Sequence, residues 1–190
     1  MRVIAGKAKG RKLRSVPGPR TRPITDRAKS ALFSILGADV RGSSFLDLFA
    51  GTGQVGIEAL SRGAEQAVFI EIGNAALRTI RQNLTLTKLD KSAHTNIIHA
   101  DVFQYLTTPP EPFDYIYIAP PQYRGLWTQT LHMLDQQPAW LAKDGWAIAQ
   151  IHPTEYQDLE LVNLERFDQR QYGSVMLCFY WPRIKDQNTG

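Results

Sequence analysis

The stretch from Phe45 to Gly56 constrains the fold more than any other part of the chain. Its sequence, FLDLFAGTGQVG, is an apolar run with one aspartate, followed by a glycine-rich turn and a helical pattern. Gly51 and Gly53 can adopt backbone angles that are closed to other residues, and they let a ligand lie against the main chain. A buried strand, a glycine turn and a helix in this order predict an α/β unit with a cofactor at the turn.

Acidic residues accompany three successive apolar runs. Asp47 lies within the first run, Glu71 ends the second, and Asp101 follows the third. Ligands of open α/β sheets bind beyond the carboxyl ends of the strands, where a second-strand acid receives ribose hydroxyls and a third can accept from an adenine amino group. A phosphate at the helix start would be repelled by Asp47, whereas S-adenosylmethionine carries a sulfonium, an ammonium and no phosphate. The predicted S-adenosylmethionine-binding residues are Asp47, Gly51, Gly53, Glu71 and Asp101.

Each of these features also has a structural explanation. Asp101 can cap a helix that starts at Val102, and acids at strand ends are common on protein surfaces. A dinucleotide-dependent oxidoreductase is an alternative from another class of enzyme, and the charge of Asp47 disfavours it. Three acids at three consecutive strand ends favour the S-adenosylmethionine site.

Positive charge is concentrated at the amino end. Residues 1–41 carry 11 Lys and Arg against Asp26 and Asp39, a net charge of +9, whereas the other 149 residues carry 11 against 16, a net charge of −5. A basic extension on an acidic body is typical of proteins that contact a nucleic-acid backbone, although a solvated tail would look similar. Interleaved glycines and apolar residues predict a short hairpin. The predicted RNA-binding residues are Lys7, Lys9, Arg11, Lys12, Arg14, Arg22 and Arg27.

Composition excludes several classes of site. The single cysteine, Cys178, lies in an apolar run and cannot form a disulfide or a thiolate zinc site within this chain. The predicted S-adenosylmethionine site requires no metal. The amino end is basic and lacks the apolar run of a signal peptide, which predicts a cytoplasmic protein. A length of 190 residues suggests one domain, divided by a Pro/Gly linker into a basic extension, 1–22, and the domain that would bind the cofactor, 23–184.

Hydrophobic periodicity predicts a Rossmann-like α/β fold with a seven-stranded, mostly parallel sheet and one antiparallel strand. Thr25 is the predicted N-cap of a helix that runs to about Leu36, and Asn74 is the predicted cap of a helix through Leu89. The last two predicted strands, 161–167 and 174–181, are joined by so short a connection that they must be antiparallel. The other predicted strands end near Phe49, Glu71, Asp101, Ile118 and Ile151.

A second stretch with chemical character follows the fourth predicted strand. In Ile118-Ala-Pro-Pro-Gln-Tyr123 the two prolines remove amide donors, which predicts that the carbonyl groups of Ala119 and Pro120 are fixed acceptors. The ring of Tyr123 could stack on a base. Such a loop suits an exocyclic amino group. An ordinary Pro-Pro turn is the alternative, and the position of the loop at a strand end that faces the predicted cofactor site favours the functional interpretation. The predicted catalytic residues are Ala119, Pro120, Pro121 and Tyr123.

These motifs together resemble a known family. The sequence DLFAGTG from Asp47, with Glu71, Asp101 and the Pro-Pro-x-Tyr loop, is similar to the class I S-adenosylmethionine-dependent methyltransferases. The amino-terminal patterns RVIAGK, GRKL and TRPITDR through Phe33 resemble the RsmD family, whose members methylate N2 of a guanine in small-subunit ribosomal RNA. The resemblance implies that Asp47 and the glycines hold the methionine part of the cofactor, Glu71 the ribose and Asp101 the adenine. The family usually has Asp or Asn where this chain has Ala119.

Other functions share these motifs. A methyltransferase acting on adenine N6 or on a protein amide would carry both the glycine turn and the Pro-Pro loop. A catalytically impaired RNA-binding or ribosome-assembly protein is the alternative that Ala119 raises. The expected partner is ribosomal RNA or a partly assembled small subunit, bound by a monomer, with no membrane involved.

Overall fold

The computed structural model describes residues 1–16, 24–90 and 94–183, and within them a seven-stranded sheet forms the centre of the molecule. The strands are β1 Ser44–Asp47, β2 Gln66–Glu71, β3 His94–His99, β4 Phe113–Ile118, β5 Leu141–Ile151, β6 Leu164–Tyr172 and β7 Val175–Pro182. Their order across the sheet is β3-β2-β1-β4-β5-β7-β6. Strand β7 pairs antiparallel with both β5 and β6, and the other pairs of described strands are parallel. One reversed strand in a mostly parallel sheet confirms the predicted fold class.

Helices cover both faces of the sheet. The α-helices in the described residues are α1 Asp26–Leu36, α2 Gln54–Arg62, α3 Asn74–Thr87, α4 Val102–Tyr105 and α5 Leu126–Gln136, with short 3₁₀ turns at Gly37–Val40, Pro138–Trp140 and Pro153–Glu155. Side chains alternate between faces along each strand, so Phe45 packs in the core under α1, α2 and α3, and Leu46 packs in the core under α4 and α5. No helix in the described ranges is long and apolar enough to cross a membrane.

Helix starts match the sequence predictions at two positions and differ at one. Thr25 caps α1 through its hydroxyl, and Asp101 caps α4 by accepting from the amides of Phe103 and Gln104. The predicted cap at Asn74 is wrong, because Gly73 is the N-cap of α3 and Asn74 is its first residue. The amide of Gly73 is held by the Glu71 side chain at 2.7 Å, which fixes the start of the helix directly after β2.

The basic amino-terminal segment forms a hairpin-like turn that belongs to the core. Arg2 and Lys12 form an antiparallel bridge, and Val3, Ala8 and Leu13 are buried with the residues beneath α1 to α3. The segment is therefore packed on the body formed by the sheet and its helices. Of the predicted linker, residues 17–22, Arg22 among them, lie outside the described ranges, so the division at residue 22 stays a prediction.

The closing hairpin is longer than predicted. Strand β6 runs on to Tyr172, which pairs with Val175, so the connection is the two residues Gly173 and Ser174 and not 168–173. The sequence pattern predicts an end at Phe167 because polar residues follow it. On an edge strand such residues face solvent, and they do not interrupt pairing.

Candidate functional site

A cavity of about 580 Å³ opens at the carboxyl ends of the central strands. Its size is within the range of small-molecule binding sites. The strand order β2-β1-β4-β5 places the glycine turn after β1 and the Pro-Pro loop after β4 on adjoining walls. Six predicted residues line it together: Asp47, Gly51, Glu71, Ala119, Pro120 and Pro121. The cavity thus joins the predicted cofactor residues to the predicted catalytic loop.

Asp47 is a buried carboxylate on the floor of this cavity. Its side chain accepts one long hydrogen bond, 3.3 Å from the amide of Gly56 to Oδ2, and Oδ1 has no partner among the described residues. Burial raises the pKa of Asp47 to about 7, and the charge of Glu71 contributes to this rise. A buried carboxylate with an unsatisfied oxygen costs free energy, so a cationic or donor ligand at this point would stabilise the site.

Glu71 joins the two turns that border the cavity. Its Oε2 accepts from the amide of Gly51 at 2.8 Å, and its Oε1 accepts from the amide of Gly73 at 2.7 Å. Gly51 has a φ of +55°, in the left-handed region that favours glycine, and no side chain projects from it into the cavity. Each carboxylate oxygen retains a lone pair that could accept a hydroxyl proton.

These residues fit S-adenosylmethionine by their chemistry. The unsatisfied oxygen of Asp47 suits a positively charged group, and the carboxylate of Glu71 suits a pair of hydroxyls. Gln54, at the start of α2, lines the same cavity with a buried Oε1 that has no partner in the described part of the chain. Sequence analysis missed Gln54, because a glutamine after a glycine turn carries no recognisable signal.

Two predicted cofactor residues lie outside this group. Gly53 and Asp101 are not among the described residues that line the cavity. Gly53 is the N-cap of α2, and a Cβ there would approach Ile80 to 3.3 Å, so its small size serves packing. Asp101 uses Oδ1 to cap α4, in agreement with its structural explanation. Contact of either residue with the cofactor stays a prediction.

The wall next to the glycine turn contains a polar pair that sequence analysis also missed. The Tyr117 hydroxyl donates to Oε1 of Gln150, and both residues line the cavity. Burial raises the pKa of Tyr117 well above its usual value, and the nearby Asp47 adds to the shift. The phenol therefore stays protonated at neutral pH. Only the pairing of β4 with β5 reveals that these two residues meet.

Tyr123 lies at the rim, beyond the residues that line the cavity. It is 68% exposed, and its φ of +61° is unusual for a residue with a side chain. Its amide donates to Oε2 of Glu155 at 2.6 Å, and its ring centroid lies 5.9 Å from that of His152. The turn after β5 therefore holds the Pro-Pro loop in place, and the ring of Tyr123 remains accessible. Its stacking role stays a prediction.

The predicted RNA-binding residues divide by what they contact. Lys7, Lys9 and Lys12 are exposed, and so is Arg27 on α1. Arg11 donates to the carbonyl of Leu86 at 2.6 Å, and the exposed Arg14 donates to Gln82 at 3.2 Å. These two arginines therefore help attach the segment to α3, whereas the three lysines are the residues best placed for an external partner.

Comparisons with known proteins agree with this architecture. The family model described as conserved hypothetical protein 95 matches residues 1–181. The Bacillus subtilis protein YlbH is 36% identical over 185 residues, covering 96% of this chain and all of that protein. Ribosomal RNA small subunit methyltransferase D of Escherichia coli is 33% identical over 144 residues, covering 76% and 71%. The solved structure of the Escherichia coli protein yhhF superposes with a TM-score of 0.84 at 28% identity, covering 96% and 97%.

Proposed function

The chain belongs to the conserved hypothetical protein 95 family, the RsmD family of ribosomal RNA methyltransferases, and we propose that it methylates N2 of a guanine in small-subunit ribosomal RNA. The methyl donor is S-adenosylmethionine. One observation carries this proposal: the unsatisfied, buried Asp47 and the Pro-Pro loop share a single cavity. A cationic methyl donor and an amine acceptor are the two ligands that such a cavity suits.

The glycine-turn side would hold the cofactor. Asp47 would bind its positively charged methionine end, Gly51 would leave the main chain open to it, and Glu71 would accept from the ribose hydroxyls. Glu71 is already fixed by two amides, so it would bind without losing further side-chain freedom. Bound S-adenosylmethionine supplies a methyl group on a sulfonium, which is a good leaving group.

The Pro-Pro side would orient the amine. The carbonyl groups of Ala119 and Pro120 would accept hydrogen bonds from the amino group and leave its lone pair directed at the methyl carbon. In the reaction a nitrogen–carbon bond forms, the carbon–sulfur bond breaks, and the surplus proton of the methylated amine passes to water. Alignment alone can supply much of the rate of such a displacement. Tyr123 would stack on the base at the rim.

The extension at 1–22 would bind the RNA backbone beside the methyltransferase domain at 23–184. Deleting this segment would remove core residues such as Val3 and Leu13, so substitution of exposed lysines is the cleaner test. Changing Lys7, Lys9 and Lys12 to Gln should flatten the dependence of log K on log salt by about 0.7 to 0.9 for each phosphate that is no longer neutralised. An unchanged salt slope would show that these lysines only increase solubility.

The test of the proposed function is methyl transfer from tritiated S-adenosylmethionine. The substrates are unmodified small-subunit ribosomal RNA and small-subunit particles that lack the modification. Chromatography and mass spectrometry of the nucleosides should find N2-methylguanosine. Methylated adenine or labelled protein would refute the assignment of guanine and identify the other substrate. Binding of RNA without any methyl transfer would identify a non-catalytic assembly protein. We further propose a cytoplasmic monomer, which light scattering and fractionation can check.

A further inference from the structure

The Tyr117–Gln150 pair has no role in the cofactor contacts proposed above, although both residues line the cavity. Strands β4 and β5 are parallel, and their register places Ile118 beside Ala149. Ala119 and Gln150 each come one residue after this pair, and both line the cavity. Gln150 is the polar side chain next to the loop that would orient the amine.

The orientation of the Gln150 amide is set by its partner. Oε1 accepts from the Tyr117 hydroxyl, which burial keeps protonated, and Nε2 donates to no acceptor in the described ranges. The donor end of the amide is thus available to a ligand in the cavity. The carbonyl groups of Ala119 and Pro120 would then accept hydrogen bonds, and Nε2 of Gln150 would donate one, in the same space. This arrangement complements a base that has an amino group next to an unprotonated ring nitrogen. In guanine, C2 carries the amino group and is bonded to N3, which is such a nitrogen.

We infer that Gln150 contacts the target base, donating from Nε2 to guanine N3 while the carbonyl groups of Ala119 and Pro120 accept from the amino group. Tyr117 is a positioning residue that fixes the amide of Gln150. The inference rests on the proposed function and extends it, because it assigns base recognition to the end of β5. Without a partner, the side-chain amide of Gln150 would rotate. The hydrogen bond from Tyr117 keeps it in one orientation during methyl transfer.

The first experiment measures single-turnover methyl transfer to unmodified small-subunit ribosomal RNA. Gln150→Leu should lower the rate about tenfold to thirtyfold, since a base acceptor loses its donor within a closed site. Tyr117→Phe should lower it about threefold to tenfold, because the amide is retained but no longer fixed. Calorimetric affinity for S-adenosylmethionine should stay within about twofold of wild type in both variants. Gln129→Leu, at an exposed position of α5, is the matched control and should leave the rate unchanged.

A second experiment tests the atom that Gln150 contacts. Once the methylated nucleotide is located, a short synthetic RNA with 3-deazaguanosine at that position removes the N3 acceptor. The wild type should lose about as much rate on this RNA as Gln150→Leu loses on the normal one, and the variant should lose little more. Additive losses would overturn the contact with N3.

Other outcomes also decide the matter. A Gln150→Leu rate within about twofold of wild type would overturn the inference, and so would an equal loss of S-adenosylmethionine affinity, which would place Gln150 in the cofactor site. An inactive wild type would refute the proposed function instead. In that case the affinity for RNA in the presence of S-adenosylhomocysteine decides: weaker binding by Gln150→Leu supports base contact, and equal binding overturns it.

Discussion

Two carboxylates are buried on the same side of the sheet, and their surroundings are opposite. Glu58 on α2 accepts from the amides of Ile4 and Ala5 at 2.8 and 3.0 Å, and it forms ion pairs with Arg62 and Lys29. Asp47 at the end of β1 accepts a single bond of 3.3 Å and leaves Oδ1 without a partner among the described residues. Both residues are almost completely excluded from solvent.

We interpret Glu58 as a structural acid, and we propose Asp47 as a ligand-binding one. The contacts of Glu58 with Ile4, Ala5 and Lys29 tie the amino-terminal segment and α1 to α2. Lys29 completes the cluster by donating to the carbonyl of Arg2 at 2.6 Å. Burial lowers the pKa of Lys29, and Glu58 opposes that shift. Asp47 has no comparable partner, so the cost of its desolvation is relieved by taking up a proton, which is why its pKa is raised, or by binding a ligand. Four predictions test this distinction, and they are ordered by expected size.

The largest effect should follow the loss of the structural acid. Glu58→Ala should lower the free energy of unfolding by about 3 to 5 kcal/mol, because it leaves the ammonium of Lys29 buried without its counter-charge. Glu65→Ala, at an exposed position, is the control and should change stability by less than about 0.5 kcal/mol. Urea unfolding measures both. A loss below about 1 kcal/mol for Glu58→Ala would remove the contrast between the two carboxylates.

Replacing the ligand-binding acid should have the opposite pattern. Asp47→Ala should weaken S-adenosylmethionine binding by at least about 100-fold, or about 2.7 kcal/mol, because a cationic ligand loses its charged partner. Asp47→Ala and the isosteric Asp47→Asn should have nearly the same free energy of unfolding, because neither variant keeps a buried charge. Asp47→Ala should be less stable only by the small cost of the cavity that it leaves. Calorimetry on the folded variants measures the affinity for S-adenosylmethionine. An unchanged affinity in Asp47→Ala would refute the assignment of Asp47 to the cofactor site.

The pH dependence of binding should also identify Asp47. Its pKa of about 7 in the ligand-free protein means that it is protonated below neutral pH and must lose that proton to pair with a cation. Affinity for S-adenosylmethionine should therefore fall about tenfold per pH unit below about pH 7 and reach a plateau above it. Titrations from about pH 5.5 to 8 should show this slope in wild type and none in Asp47→Asn. Equal slopes in the two proteins would assign the titration to another group.

The part of the cavity beside the glycine turn was largely predictable from sequence, and the reason is local. Asp47, Gly51 and Glu71 follow from the rule that ligands bind beyond strand ends, and each lies in or next to the motif that identifies it. Gln150 is 31 positions from Ala119, and only the register of β4 against β5 makes them neighbours. No periodicity or motif in a single sequence encodes that pairing.

Glu58 shows the second limit of prediction from sequence. A glutamate in an amphipathic helix is normally exposed, and nothing in the local sequence of α2 marks Glu58 as buried. The residues that bury it come from the amino-terminal segment and α1, which pack over this face of α2. Tyr123 is similar, because its left-handed backbone depends on Glu155, 32 residues further along the chain.

The smallest expected effect concerns Ala119, on the wall of the cavity that adjoins the Asp47 wall. A carboxylate at this position would add an acceptor for the amine and could serve as a general base, a contribution of up to about 10² to 10⁴ in rate in other enzymes. The amino group of guanine needs less help, because the proton it carries after methylation is acidic enough to pass to water. The main-chain carbonyl of Ala119 is retained whatever its side chain. Ala119→Asp should therefore change single-turnover methyl transfer by less than about tenfold, or about 1.4 kcal/mol of barrier. An inactive wild type that the aspartate restores would show instead that this wall has lost its catalytic role while the Asp47 wall still binds the cofactor.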